Sequence, residues 1–324
     1  MNTHKELPKW LHNYIFETVG AEERPDPKEF CKNLHSDDAK NKIYLGTYFP
    51  RSFAEAFCIH ENLFNYAPYL ETLQQKERLS ILSIGCGTGG DIIGAICAIG
   101  KCLPSVKELD VVAFDGNNIA IDYLKELLEQ DVLQKRFVIT ERFVPLPIAS
   151  IEDLQHFINY MGDGYDIILS FKFVNELMEL GVLPRLGFHE LASILASKLN
   201  DTGLMTLLDV TDKHYGVFQP KNMNEALCNY MQNQNDFKTL LPIPCHFFDQ
   251  KCHGGSCFSN KRFTGSFTAE DKVAYRVIGR AGFVDALYPV MADDTCYARN
   301  VDMWNDPCPK TRGKRGADAF DINC

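Results

Sequence analysis

No apolar run in this chain approaches the ~18 residues that a membrane-crossing helix needs, and Met1 to Glu6 lack the apolar stretch of a secretory leader. Both absences lead us to expect a soluble, cytoplasmic protein without a membrane partner. Basic residues are in deficit, with 33 Lys and Arg against 43 Asp and Glu and a net charge of −10. A chain of that sign is repelled by a phosphate backbone unless its basic residues gather on one face, so the charge gives no support to a nucleic-acid partner and leaves one open only in principle. No internal repeat or low-complexity tract is visible. One main folded domain with additions is therefore expected from 324 residues that are 45% apolar.

Cysteine, in contrast, is plentiful, with 12 in the chain. Cys58, Cys86 and Cys97 fall inside segments that read as core elements, where free thiols behave as small hydrophobes. Reduced thiols fit an intracellular compartment better than a disulfide framework does.

Residues 1–45 are polar and punctuated by Pro25 and Pro27, with one short helical pattern around Trp10, Leu11, Tyr14 and Ile15; they read as a peripheral arm. From Arg51 to Leu73, Phe53, Phe57, Phe64 and Tyr66 recur at mostly helical intervals and predict a helix or helix pair. The texture then changes to short apolar strands alternating with helices, the pattern of a parallel sheet covered on both faces. Strands are expected at 79–84, 109–114, 137–143, 165–170 and 204–210. Helices are expected at 91–99, 119–129, 151–160 and 188–199. Thr268 and Asp271 resemble a capping box opening a helix through Arg280. Two strands, at 283–290 and 296–304, would follow it.

The chemistry-bearing motif lies after the first strand, at Gly85-Cys86-Gly87-Thr88-Gly89-Gly90. A glycine-rich turn lets backbone approach a ligand closely, and the following helix N-terminus offers unpaired N–H groups. Alone it is ambiguous, because Gly85, Gly87 and Gly90 also satisfy the dinucleotide pattern G-x-G-x-x-G. Asp115, with Gly116 and Asn117, closes the second strand, where a carboxylate can accept from both hydroxyls of a ribose; Asp115-Gly116 is also an ordinary turn signal. Ser170 and Phe171 close the fourth strand and lead into Lys172, Asn175 and Glu176.

These segments, taken with Ala281-Gly282-Phe283, resemble the motifs of class I S-adenosylmethionine-dependent methyltransferases over roughly residues 79–304. The resemblance implies an α/β, Rossmann-like fold with a mainly parallel seven-stranded sheet and helices on both faces. Around it we expect an N-terminal helical extension (1–75), a methyltransferase domain (76–304) with a Cys-rich insert after strand 5 (about 211–267), and a basic tail (305–324) carrying Lys310, Arg312, Lys314 and Arg315. The implied cofactor is S-adenosylmethionine, held by Gly85, Cys86, Gly87, Gly89, Asp115, Gly116, Asn117, Ser170 and Phe171. Two positions depart from the family. Ser83 stands where an acidic residue often precedes the first glycine, and the end of strand 3, Ile139 to Phe143, has no Asp to meet adenine.

The insert contains Cys245-His246, Cys252-His253 and Cys257. Three or four soft ligands in a Gly-rich loop can hold zinc or an iron–sulfur cluster, so Cys245, Cys252, His253 and Cys257 are the candidate ligands; their spacing matches no standard zinc finger, and plain thiols in a covering loop are the alternative. A weaker likeness joins this cluster and Val174-Asn175-Glu176-Leu177 to methyltransferase-like proteins of the mitochondrial small ribosomal subunit. It points toward RNA or ribosome substrates, although Pro244-Cys245-His246 replaces that family's Cys-Pro-His run.

Methyl transfer needs a positioned acceptor, and a proton acceptor where the nucleophile is an amine or hydroxyl. Glu176, His214 and Asn175 are the candidate catalytic residues, with Lys172, Asp209, Asp212 and Tyr215 near them in the chain. The acceptor and the oligomeric state are not legible. A nicotinamide-dependent oxidoreductase and a non-catalytic assembly protein are the competing readings. For the cysteine cluster, anaerobically purified protein is expected to carry about one equivalent of zinc or iron that falls in Cys252→Ser and Cys257→Ser; less than about a tenth of an equivalent in the parent, by elemental analysis, overturns the metal reading.

Overall fold

The computed structural model describes residues 2–25, 34–211, 213–214, 217–234, 236–241, 260–266 and 270–292. Ten strands are found among them: β1 (Arg78–Ile84), β2 (Glu108–Asp115), β3 (Val138–Pro145), β4 (Tyr165–Phe171), β5 (Leu199–Val210), β6 (Lys213–His214), β7 (Val217–Phe218), β8 (Phe237–Leu241), β9 (Asn260–Thr264) and β10 (Glu270–Arg280). The helices are α1 (Lys9–His12), α2 (Asp38–Thr47), α3 (Phe49–Phe64), α4 (Ala67–Gln74), α5 (Gly90–Cys102), α6 (Asn118–Leu128), α7 (Asp131–Gln134), α8 (Ile151–Tyr160), α9 (Phe173–Glu179), α10 (Gly187–Leu195), α11 (Gln219–Asn233) and α12 (Ala281–Ala292).

The main sheet is mainly parallel and has eight strands, in the order β3-β2-β1-β4-β5-β10-β8 with β9 on β10. The first five strands in the chain occupy consecutive places and β10 runs antiparallel to both β5 and β8, which is the Rossmann-like α/β arrangement expected, with one strand more than the seven counted. No helix among the described residues is long and apolar enough to cross a membrane.

The chain divides into two compact units. One comprises Met1–Ile148, Leu169–Phe171 and Phe263–Asp271; the other comprises Ala149–Ile168, Lys172–Arg262 and Lys272–Cys324.

In the first unit β1, β2 and β3 pair in parallel, with Ile84 opposite Phe114 and Asp115 opposite Pro145. β1 and β2 are apolar at nearly every inner position because they are covered rather than half-exposed. α3 places Phe49, Phe53, Phe57 and Phe64 in the core, and it packs on α5 at a distance that two glycines set. A Cβ at Gly90 would lie 2.7 Å from the Phe49 carbonyl oxygen, and one at Gly94 would lie 2.5 Å from that of Phe53. Gly90 is thus a packing residue for α3, not only the last glycine of a ligand loop. The N-terminal segment expected to be peripheral is instead part of this core: Leu11 and Ile15 are fully buried, and Lys5 N–H donates to the Thr264 carbonyl while Thr264 N–H donates to that of Thr3. The amphipathic stripe of Leu7, Leu11, Tyr14 and Ile15 has to be covered, and docking covers it.

In the second unit the segment around 270–292 inverts the sequence reading. Glu270–Arg280 is a strand paired with β5 from Val273↔Val210 to Gly279↔Leu204, and Ala281–Ala292 is a helix. Val273, Tyr275, Val277 and Ile278 favour a pleated strand, and that preference with a vacant neighbour position beside β5 overrides a four-residue capping signal. The expected strand at 296–304 lies outside the described residues. The stretch read as an insert also contains a full α-helix and a sheet strand, α11 and β8, so the Cys-rich run falls between β8 and β9 in the chain.

Cys58, Cys86, Cys97 and Cys102 are free thiols. Cys228 on α11 is disulfide-bonded, so the expectation of reduced thiols does not hold there.

Adding one methyl group at the α3–α5 contact tests the packing. Gly94→Ala should lower the unfolding free energy in urea by about 1–3 kcal/mol. Gly162→Ala, where an added Cβ meets nothing within 4 Å, should change it by less than about 0.5 kcal/mol.

Candidate functional site

The loop after β1 is built by backbone first. Gly85 and Cys86 N–H both donate to the Phe114 carbonyl, at 2.9 and 3.0 Å, which ties the loop to the end of β2. Gly87 and Gly89 have φ of +50° and +84°, a region that only glycine enters without cost. An added Cβ at Gly89 would collide with Leu124, whereas one at Gly87 would project into open space. The loop therefore has a packed side at Gly89 and an open side at Gly87.

Asp115 joins the two turns. Its Oδ2 accepts from Gly87 N–H at 2.7 Å and its Oδ1 from Asn117 N–H at 2.8 Å. Burial raises the Asp115 carboxyl above its ordinary range, opposed by the N–H groups of Asn117, Gly87 and Gly116. Asn117 caps α6 by accepting from Ile119 and Ala120 N–H, and its amide donates to Asn41 Oδ1 at 3.2 Å. A side chain at Gly116 would strike Leu34 and Pro147. Asn41 and Leu34 were not singled out from sequence, because they sit in the polar N-terminal stretch that carries no motif.

Beneath the loop, Ser83 Oγ donates to Asp91 Oδ2 at 2.6 Å and both residues are buried. Burial pushes the Asp91 carboxyl up to about 6, against the bond from Ser83. The Cys86 thiol, also buried, is raised by burial and by the carboxyls of Asp115 and Asp91; this thiol is not a nucleophile. Ser170 and Phe171 are buried at the end of β4 in the same unit.

The second unit carries the candidates nearest the ends of β4 and β5. Lys172 is the one non-glycine residue with positive φ among the described residues, at +60°, and its N–H donates to the Leu208 carbonyl at 2.7 Å. Asp209, fully buried, accepts from Asn175 N–H at 2.9 Å and from Val210 N–H at 2.8 Å. Asn175 Oδ1 accepts from Gln219 Nε2 at 2.6 Å, and Gln219 Oε1 accepts from Asn222 Nδ2 at 3.2 Å. Asn175 thus holds a buried amide chain together rather than facing solvent. Glu176 is half-buried on α9. His214 lies on β6, opposite Val217; its side chain is outside the description, as are Asp212 and Tyr215. Gln219 and Asn222 escaped the sequence reading because hydrophobic periodicity does not register amides.

Cys245, Cys252, His253 and Cys257 also lie outside the described residues. Among the described ones, no group of three or more His, Cys, Asp and Glu could hold a metal ion.

Neither a protein-family model nor a curated protein sequence matches the chain. Solved structures do. The chain is similar to the mitomycin 7-O-methyltransferase MmcR, with TM-score 0.44 and 13% identity over 84% of this chain and 68% of that one. It is similar to the plantazolicin methyltransferase BpumL in complex with SAH, with TM-score 0.42 and 14% identity over 83% and 99%. The cyclase SpnF is also similar, with TM-score 0.32 and 13% identity over 54% and 57%. At such scores the architecture rests on the strand order itself.

Burial raises the Asp209 carboxyl to about 7, opposed by the Asn175 and Val210 N–H groups and the Lys172 charge and aided by Glu179. An unfolded Asp titrates near ~3.9, so between these values the folded chain holds a proton that the unfolded chain has released. The resulting stabilisation is complete below the unfolded value and lost as pH rises through about 7. The stability of the parent relative to Asp209→Asn, from urea titrations, should fall from about pH 4 to about pH 7 and then level off. A difference that is flat or rising over that interval contradicts this environment for Asp209.

Proposed function

We propose that the chain binds S-adenosylmethionine at the loop 85–89 and Asp115, and transfers its methyl group by in-line displacement to an acceptor outside the chain. The observation that carries this reading is the acidic character of the loop's surroundings. Asp115 is latched to the loop at Gly87, and Asp91 is buried in the first turn of α5. A dinucleotide would bring its two phosphate charges to that helix N-terminus, where the dipole favours anions but a buried carboxyl opposes them. A zwitterionic amino-acid end carries an ammonium that a carboxyl welcomes. The open face at Gly87 leaves room for backbone contact, and each Asp115 oxygen has a remaining lone pair for a ribose hydroxyl.

The bound cofactor would supply a methyl group on a sulfonium. The chain's own part is to bind, to orient and to keep water out. The Asp115 latch orders the loop before any ligand arrives, which reduces what binding has to order. In the second unit, Asp209 fixes the start of α9, and with it the course of the backbone from Lys172 to Glu176. Glu176 and His214 are the proposed proton acceptors where the nucleophile carries a proton, Asn175 a residue that positions them. The acceptor is RNA, protein or a small molecule; fold likeness does not choose among them. Zinc or iron–sulfur binding by Cys245, Cys252, His253 and Cys257 is a separate proposal that rests on the elemental measurement above.

Calorimetric titration of S-adenosylmethionine and S-adenosylhomocysteine into the full chain tests the reading. Both should bind, and Asp115→Asn, which keeps one acceptor oxygen but loses the second, should weaken binding by about tenfold or more while remaining folded. Binding of NADH, seen by its fluorescence, with no response to S-adenosylhomocysteine would replace this reading with the oxidoreductase. A folded parent that binds neither would favour the assembly protein.

A further inference from the structure

The N-terminal arm is bonded through side chains to the turn that carries Asp115. Asn41 on α2 is fully buried, and its amide N–H groups donate to the Ser36 and Asp37 carbonyls, at 2.9 Å each. With these donors committed, Asn41 meets α6 as an acceptor: its Oδ1 accepts from Asn117 Nδ2 at 3.2 Å. The orientation of the Asn117 amide is set from its other side, because its Oδ1 accepts from the Ile119 and Ala120 N–H groups at the start of α6. The Asn117 backbone N–H then donates to Asp115 Oδ1, and Asp115 Oδ2 accepts from Gly87. One end of this path is the arm; the other is the carboxyl and the loop of the proposed nucleoside site.

Further contacts hold the arm against the same elements. Leu34 packs on the turn itself, since a Cβ at Gly116 would lie 2.3 Å from Leu34 Cδ1. Tyr123 on α6 donates to Asp38 at 2.6 Å, and Tyr14 donates to Glu126. Those two bonds grip the side of α6, whereas Asn41 enters at its N-cap, beside Asp115. Packing alone would be served by an apolar residue at position 41, because a buried amide is unfavourable unless its bonds are made. Here those bonds aim one oxygen at Asn117. Resting on the function proposed above, we infer that Asn41 is a positioning residue of the nucleoside site. It orients Asn117, and through it the Asp115 turn, so that docking of the arm and binding of the cofactor's nucleoside favour one another. Binding to an ordered turn loses less conformational freedom than binding to a loose one, and such coupling acts equally in both directions.

Two nucleoside probes measure this coupling. In the full chain, Asn41→Ala should weaken S-adenosylhomocysteine by about fivefold or more, and 5′-methylthioadenosine, which lacks the amino-acid end, by a similar factor. A purely structural Asn41 would lower the unfolding free energy without changing the affinity of the folded chain. Asn117→Ser keeps a side-chain oxygen for the α6 cap but has no amide to offer Asn41, so it should lose a similar factor. The double variant should bind within about twofold of the weaker single one, since both changes cut one path. Tyr14→Phe, which loosens the arm away from that path, should leave both probes within about twofold of the parent. Affinity in Asn41→Ala equal to the parent's, or losses that multiply in the double variant, overturn the assignment and leave the cofactor reading standing. So does a loss in Tyr14→Phe as large as that in Asn41→Ala, which traces the effect to docking at large. A parent that binds neither probe overturns both.

If Asn41→Ala does not fold, hydrogen exchange on the parent reads the same coupling from the arm. Lys40 N–H donates to Asp37 Oδ1 and Asn41 N–H to the Asp37 carbonyl, both at 2.9 Å, in the first turn of α2. Saturating S-adenosylhomocysteine should slow exchange at these amides by about fivefold or more beyond any slowing at Lys5 and Thr264, whose N–H groups join the start of the arm to β9. Equal slowing at the two places overturns the coupling.

Discussion

The bond between the Asp115 carboxylate and the Gly87 amide is the constraint on which the rest of the site depends. It joins a turn after one strand to a turn after its neighbour, and through the second oxygen it fixes Asn117, which in turn caps α6 and reaches Asn41 on α2. Three segments far apart in the chain are thereby held in one hydrogen-bonded sequence. A carboxylate serves here where an amide would not, because both oxygens must accept from backbone N–H groups and an amide offers only one acceptor. Burial opposes its charge and the amides favour it.

The second unit solves a similar problem with different chemistry. Asp209 accepts from the start of α9 and from its own strand, and amides from α11 continue the chain to Gln219 and Asn222. Lys172, held in a left-handed conformation immediately before α9, is the place where this arrangement carries backbone strain. Strain of that kind persists only where surrounding bonds over-determine it, and the Lys172 N–H to Leu208 and the Asp209 clamp are those bonds.

What could be read beforehand follows from which physical signal each element writes into its residues. β1, β2, β4 and β5 are covered strands, so Leu79, Ile81, Leu82 and Ile84, or Ile167 to Leu169, are apolar, and the borders of the first three fall within one residue of expectation while β5 begins five residues early. The glycine loop was legible because left-handed backbone demands glycine. α11 was not: its inward face is written as Gln219, Asn222, Met223, Asn224, Ala226 and Leu227, a helical period carried partly by amides that bond one another. β10 was misread because Thr268 to Asp271 carries a local helix-start pattern, while the decision came from pairing with a strand sixty or so positions earlier, from Val273↔Val210 to Gly279↔Leu204. At the site, the Ser83 departure looked like a lost contact; only the fold reveals that α5 brings Asp91 back beneath it.

The pairing of residues 3–7 with residues 264–266 has a consequence for how the chain is made. Leu7 N–H meets the Ser266 hydroxyl across 259 positions, and Lys5 meets Thr264. During synthesis, residues 3–7 emerge before their partners and must wait for residues 264–266 before their backbone finds them. The first unit can assemble its glycine loop and its α3–α5 contact before then, yet this stretch of backbone is paired only once residues 264–266 are made. Until then the backbone N–H groups of Lys5 and Leu7 lack the partners that the folded chain gives them.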